Sequence, residues 1–251
     1  MRVSSLPAYL YKSTMPNLCQ VDKRSDFLSK SPNPYCGPVA ISNALIYLAR
    51  NGFPMIISPM GKLSTLQAQF KLIELLAKYM NTTKPRGTDP LDLISGLEKY
   101  IRERGYRTSI SSRGFLEDVK GDRDKYYDSS NIPTPRWIMK GAIEDSNVVL
   151  NIGYYKRKGK GNDYKRSNGH YVTVAGFKST KDELIIHDPG PGRALANSKL
   201  VKISQGTLLE ESEEERPASG YYACRDINEN EEIGKYLDVI DGGIVFRVCI
   251  K

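Results

Sequence analysis

Histidine is almost missing from this chain: His170 and His187 are the only two among 251 residues. Two imidazoles cannot build a His-rich metal site, and any Cys/His chemistry must use one of them. Cysteine is sparse as well. Cys19, Cys36, Cys224 and Cys249 lie far apart, with no C-x-x-C spacing. That excludes a disulfide scaffold and a Cys-rich zinc site, and it suits a reducing compartment. No metal and no cofactor is expected. No apolar run approaches the roughly 18 residues of a membrane span, so none is expected. The first stretch, MRVSSLPAYLYKSTMPN, lacks an apolar h-region and an A-x-A cleavage pattern. It reads as mature protein, and the expected location is the cytoplasm. No internal repeat, long linker or composition break divides the sequence. It reads as one domain over residues 1–251.

What is present fits an ordinary globular protein. The hydrophobic fraction is 39% and the charged fraction 26%, and 16 tyrosines rule out disorder as the main reading. Lys plus Arg is 37 against 29 Asp plus Glu, a formal charge of +8. The first half is helical in pattern. Residues 37–50, GPVAISNALIYLAR, repeat apolar positions at helical spacing, with Pro38 in the first turn and Gly52 at the end. Further helices are expected over 64–80 and 89–104. The sequon Asn81-Thr82-Thr83 reads as an ordinary helix end.

The second half alternates at period two or runs apolar in short stretches. Strands are expected at 106–111, 148–155, 170–177, 183–189 and 242–250, with a short helix at 134–144. Helices first and strands later give an α+β class, with N-terminal helices packed on a C-terminal antiparallel sheet.

Three residues carry the chemistry. Cys36, in Asn33-Pro34-Tyr35-Cys36-Gly37-Pro38, stands just before a helix. Unsatisfied N–H groups and the helix dipole there stabilise a thiolate. A lone cysteine at such a place is otherwise a small apolar plug. A thiolate nucleophile needs a base, and the base needs an orienting acceptor. His170 opens the strand HYVTVAGF, and Asp188 ends the run ELIIHDP. If those two strands form a hairpin, the start of one lies beside the end of the other, and His170 comes within reach of Asp188. His187 adjoins Asp188 in sequence, so strand alternation turns it to the opposite face.

The segments YCGPVAISNALIYL, GHYVTVAGF and IHDPGPG, in this order, resemble the papain-like cysteine peptidases of the C39-like group. The likeness covers about residues 15–192. It implies a papain-like cysteine protease fold and a catalytic triad. In that triad Cys36 is the nucleophile, His170 the base and acid, and Asp188 the orienter. It implies proteolysis by a thiol hydrolase acting on a peptide or protein substrate. It also implies an oxyanion donor, for which Gln20 is the first candidate. Here the pattern departs: 36 − 20 = 16 positions separate Gln20 from Cys36, more than the usual gap, and Asn33 is the substitute. Two alternatives stay open. One is acyl transfer on the same fold; the other is a catalytically idle module that binds a peptide or protein.

Residues 156–166, KRKGKGNDYKR, hold six basic residues and one acidic, a local charge of +5 just ahead of His170. They read either as an electrostatic funnel or as a solvated hairpin. No recognisable nucleic-acid module accompanies them, so nucleic acid is not an expected partner. The acidic run from Glu210 to Glu215 reads as a solvated loop.

Overall fold

The computed structural model describes residues 5–29, 34–57, 65–84, 86–114, 127–128, 132–143, 146–159, 161–190, 196–209, 215–225 and 235–250. A short strand β1 (Tyr9–Tyr11) precedes four helices: α1 (Asp26–Ser29), α2 (Cys36–Arg50), α3 (Thr65–Tyr79) and α4 (Pro90–Glu103). Helix α2 is buried nearly all round, as its apolar sequence requires. Helix α4 starts cleanly, because Asp89 accepts a hydrogen bond from the Leu91 N–H at 2.8 Å and Pro90 sits in the first turn. These helices share a core that includes Leu28, Ile41, Leu45, Leu76, Leu97 and Tyr100.

The remaining strands are β2 (Tyr106–Gly114), β3 (Tyr127–Asp128), β4 (Ser146–Lys158), β5 (Asp163–Lys178), β6 (Glu183–His187), β7 (Ala196–Lys202), β8 (Thr207–Leu209), β9 (Glu215–Pro217), β10 (Tyr222–Arg225) and β11 (Tyr236–Ile250), with helix α5 (Pro135–Gly141) before β4. Their pairing corrects the expected fold. The sheet does not lie open beneath a layer of helices in a papain-like α+β arrangement. Six strands close on themselves: β4 pairs with β5, β5 with β6, β6 with β7, β7 with β10, β10 with β11, and β11 with β4, all antiparallel. The result is a β-barrel with extra strands, and closure leaves these six without an open edge between them.

The barrel has its own core. Leu150, Ile152, Val172, Val174, Ile186 and Leu200 meet inside it, and Ile138 and Met139 of α5 join them. The helical core lies against the other face of the same strands, where Val149, Tyr171, Ile244 and Phe246 point. Strand β5 therefore separates two cores, and its alternating side chains serve both. Thr173 ties it to α2, its hydroxyl donating to the Ala40 carbonyl at 2.8 Å. Among the described residues, no helix is long and apolar enough to cross a membrane.

Candidate active site

The site forms where β6 stops short of the start of β5. Their last shared pair is Thr173 with His187. His170 and Tyr171 lie beyond that pair, and the chain after His187 turns back across them. Asp188 begins this turn. Its Oδ1 accepts the Gly190 N–H at 2.6 Å, which fixes the carboxylate. The same oxygen stands 2.6 Å from His170 Nε2. The carboxylate is 1% exposed and the imidazole 9%, so water screens their interaction little.

With Nε2 held by Asp188, the other ring nitrogen, Nδ1, is left for the hydrogen bond that His170 makes with the Cys36 thiol. Cys36 is the first residue of α2 and is buried. Burial alone would push its thiol up. The hydrogen bond and charge of His170, together with N–H groups of Tyr171 and Gly37, outweigh it, and the thiol lies below its ordinary range. Burial alone would likewise lower His170. Its hydrogen bonds to Asp188 and Cys36, and their charges, raise it from 6.5 to about 10. The two shifts favour one state, a thiolate beside an imidazolium. Cys224 is the contrast: burial pushes that thiol up to about 12, which leaves it inert.

Gln20 lies in a loop drawn to the same turn. Its N–H donates to the Pro189 carbonyl at 2.9 Å, and the preceding Cys19 thiol meets the Gly190 carbonyl at 3.7 Å. Leu18 donates to Asn43 of α2 at 3.2 Å. The Gln20 side chain is buried, and its Oε1 has no hydrogen-bond partner among the described residues. Asn33 lies outside the described residues. His187 is buried elsewhere, its Nδ1 donating to the Pro16 carbonyl at 2.9 Å beside the Tyr11 ring. Burial lowers its pKa, only partly opposed by that bond, so it serves as a neutral structural donor. The basic loop is the hairpin that joins β4 to β5, and its register pairs Lys156 with Lys165. Of the acidic run, residues 210–214 lie outside the described residues, and Glu215 begins β9.

Several contributors could not be read from the sequence. The Tyr171 N–H reaches Cys36 through backbone geometry alone. Tyr154 stacks on the His170 ring, centroids 6.1 Å apart and planes 21° off parallel. Gly37 leaves room for α4: a Cβ there would stand 3.0 Å from Thr88 Oγ1 and 3.2 Å from Leu93 Cδ1. Leu93 and Tyr171 also line a small cavity of about 20 Å³ with Pro90, Val149, Asn151 and Gly243. A cavity of that size admits a water-sized group beside the thiol. No group of three His, Cys, Asp or Glu among the described residues could hold a metal ion. No family model and no curated protein matches this chain.

Proposed function

We propose that the protein is a thiol hydrolase that cleaves an amide bond through an acyl-enzyme on Cys36. The observation that carries this reading is the buried sequence of Cys36, His170 and Asp188, in which both hydrogen bonds of the imidazole are used and the thiol is biased toward thiolate. Structural cysteines lack such a partner, and Cys224 is the example in this chain.

In the proposed cycle the Cys36 thiolate attacks the carbonyl carbon, forming a C–S bond as the π electrons move to oxygen. The carbonyl reforms as the C–N bond breaks, and the leaving nitrogen takes the proton from His170. Neutral His170 then accepts a proton from water as the hydroxide adds to the thioester. The thiolate leaves, and the product acid is released. Asp188 holds the ring plane and favours the imidazolium. The Gln20 side-chain amide, with the Cys36 N–H, is the proposed oxyanion donor. A buried Oε1 without a donor costs about 1–3 kcal/mol, and it fits a side chain placed for function. The likeness of the Cys36, His170 and Asp188 segments to C39-like cysteine peptidases makes a peptide amide the favoured substrate.

The test has two parts. Mass spectrometry of iodoacetamide-treated protein at pH 7 should show Cys36 modified at least tenfold faster than Cys19. A peptide-library digest should then give cleavages with the native chain and none with Cys36→Ala. Equal alkylation of Cys36 and Cys19 would remove the activated nucleophile and the proposal with it.

A further inference from the structure

Behind His170 two strands are irregular at the same level. The β4–β5 ladder slips between Tyr154 and Tyr155, whose partners are Asn168 and Arg166, so Ser167 is the extra residue. The β11–β4 ladder slips between Ile240 and Gly242, so Asp241 is the extra residue there. Bulges of this kind redirect side chains next to active sites. Here the two are joined. Arg166 Nε donates to Asp241 Oδ2 at 3.0 Å. Arg216 and the Tyr155 hydroxyl donate to Oδ1 at 2.7 and 2.9 Å. Asp241 is 2% exposed and Arg166 19%.

Two glycines make room for this pair. A Cβ on Gly153 would lie 1.9 Å from Asp241 Oδ2, and one on Gly169 would lie 2.4 Å from the Arg166 guanidinium. Gly153 and Gly169 face each other across the ladder, one rung from Ile152 and His170. The ion pair thus fills the space where two side chains would otherwise stand, directly behind the base. Ser167 fastens the bulge by donating to the Tyr154 carbonyl at 2.9 Å, and Tyr154 is the ring stacked on His170.

We propose that Arg166 and Asp241 are positioning residues that set the His170 ring against Cys36, acting through the Gly169 backbone and Tyr154. This rests on the thiol-hydrolase reading above. Stability alone does not account for the pair, since buried ion pairs replaced by packed apolar groups are often neutral or better. What an apolar filler would lack is the directed bond that holds one bulge to the other.

The experiment measures the Cys36 alkylation rate from pH 5 to pH 10 in the full chain, for native protein, Asp241→Asn, Arg166→Lys and the double variant, with a thermal melt of each. Asp241→Asn should move the midpoint of the profile upward, slowing alkylation about tenfold at pH 6 and leaving the alkaline plateau unchanged. Arg166→Lys keeps the charge but loses the Nε geometry, and should shift the midpoint the same way. It is the deciding variant if Asp241→Asn does not fold. The double variant should be no slower than the worse single, because both act through one contact. Variants that melt lower but keep the native midpoint would overturn the proposal and leave the hydrolase reading intact. Native Cys36 reacting no faster than Cys19 would overturn the hydrolase reading itself.

Discussion

Two histidines lie near one end of the β5–β6 ladder and meet opposite conditions. His187 gives its proton to a carbonyl and is pushed toward neutrality by burial. His170 meets a carboxylate on one side and a thiol on the other, and keeps its proton up to about pH 10. The direction of the pH effect follows. Below the Cys36 pKa the thiol is protonated and slow; above it the thiolate persists, and the imidazolium that leaving-group protonation needs persists until about pH 10. Hydrolysis should therefore fall on the alkaline side near pH 10, while alkylation does not. Asp188→Asn removes the carboxylate that favours the charged ring. His170 then loses its proton at lower pH, its hold on the thiolate weakens, and the Cys36 pKa rises. Alkylation at pH 7 should slow about tenfold for each unit of that rise. A stopped-flow pH profile of the variant checks this, and an unchanged profile would contradict the role given to Asp188.

At the scale of elements, β5 touches everything the site needs. It pairs with β4, β6 and the short β1, and it packs on α2. The close approach of β1 depends on Gly176, where a Cβ would lie 2.1 Å from the Leu10 carbonyl oxygen. Gly176→Ala should force β1 outward and destabilise by about 1–3 kcal/mol, read as a lower urea midpoint. Which elements the sequence discloses follows from their chemistry. Helices α2, α3 and α4 have long apolar periods and clear ends, and β4, β5, β6 and β11 have dense β-branched runs. Strands β7 and β10 do not. The buried positions of β7 are Ser198 and Leu200, so its pattern is mostly polar, and β10 has four residues. Those two strands close the barrel, and overlooking them leaves an open sheet. The candidate triad was legible because a helix start and a hairpin are local features. The Tyr171 N–H, Tyr154 and the Arg166–Asp241 pair depend on register and bulges, which no local pattern encodes.

At the scale of the molecule, the barrel and the helices are held together partly by the segment before α1. Lys12 is buried there, its ammonium donating to the Ser146 carbonyl and to Asn147 Oδ1, and lying 4.8 Å over the Tyr47 ring. One side chain thus joins β4 of the barrel to helix α2. Lys12→Met keeps most of the volume but leaves buried acceptors without their donor. It should destabilise by about 1–3 kcal/mol in urea denaturation, and proteolysis should reach the residues around β1 first. A variant as stable as the native chain would show that the ammonium holds nothing together.

Cys36 and His170 sit on opposite sides of the boundary between the two cores, with 170 − 36 = 134 positions of chain between them. The nucleophile is therefore synthesised long before its base. A nascent chain that has made α2 but not β5 carries an ordinary thiol, harmless to its neighbours. The reactive thiolate arises only once the helices have docked and the strand bearing His170 has joined its ladder. Chemical reactivity at residue 36 is in this sense a self-timed signal of completed assembly. Pulse alkylation during refolding would read it as a clock.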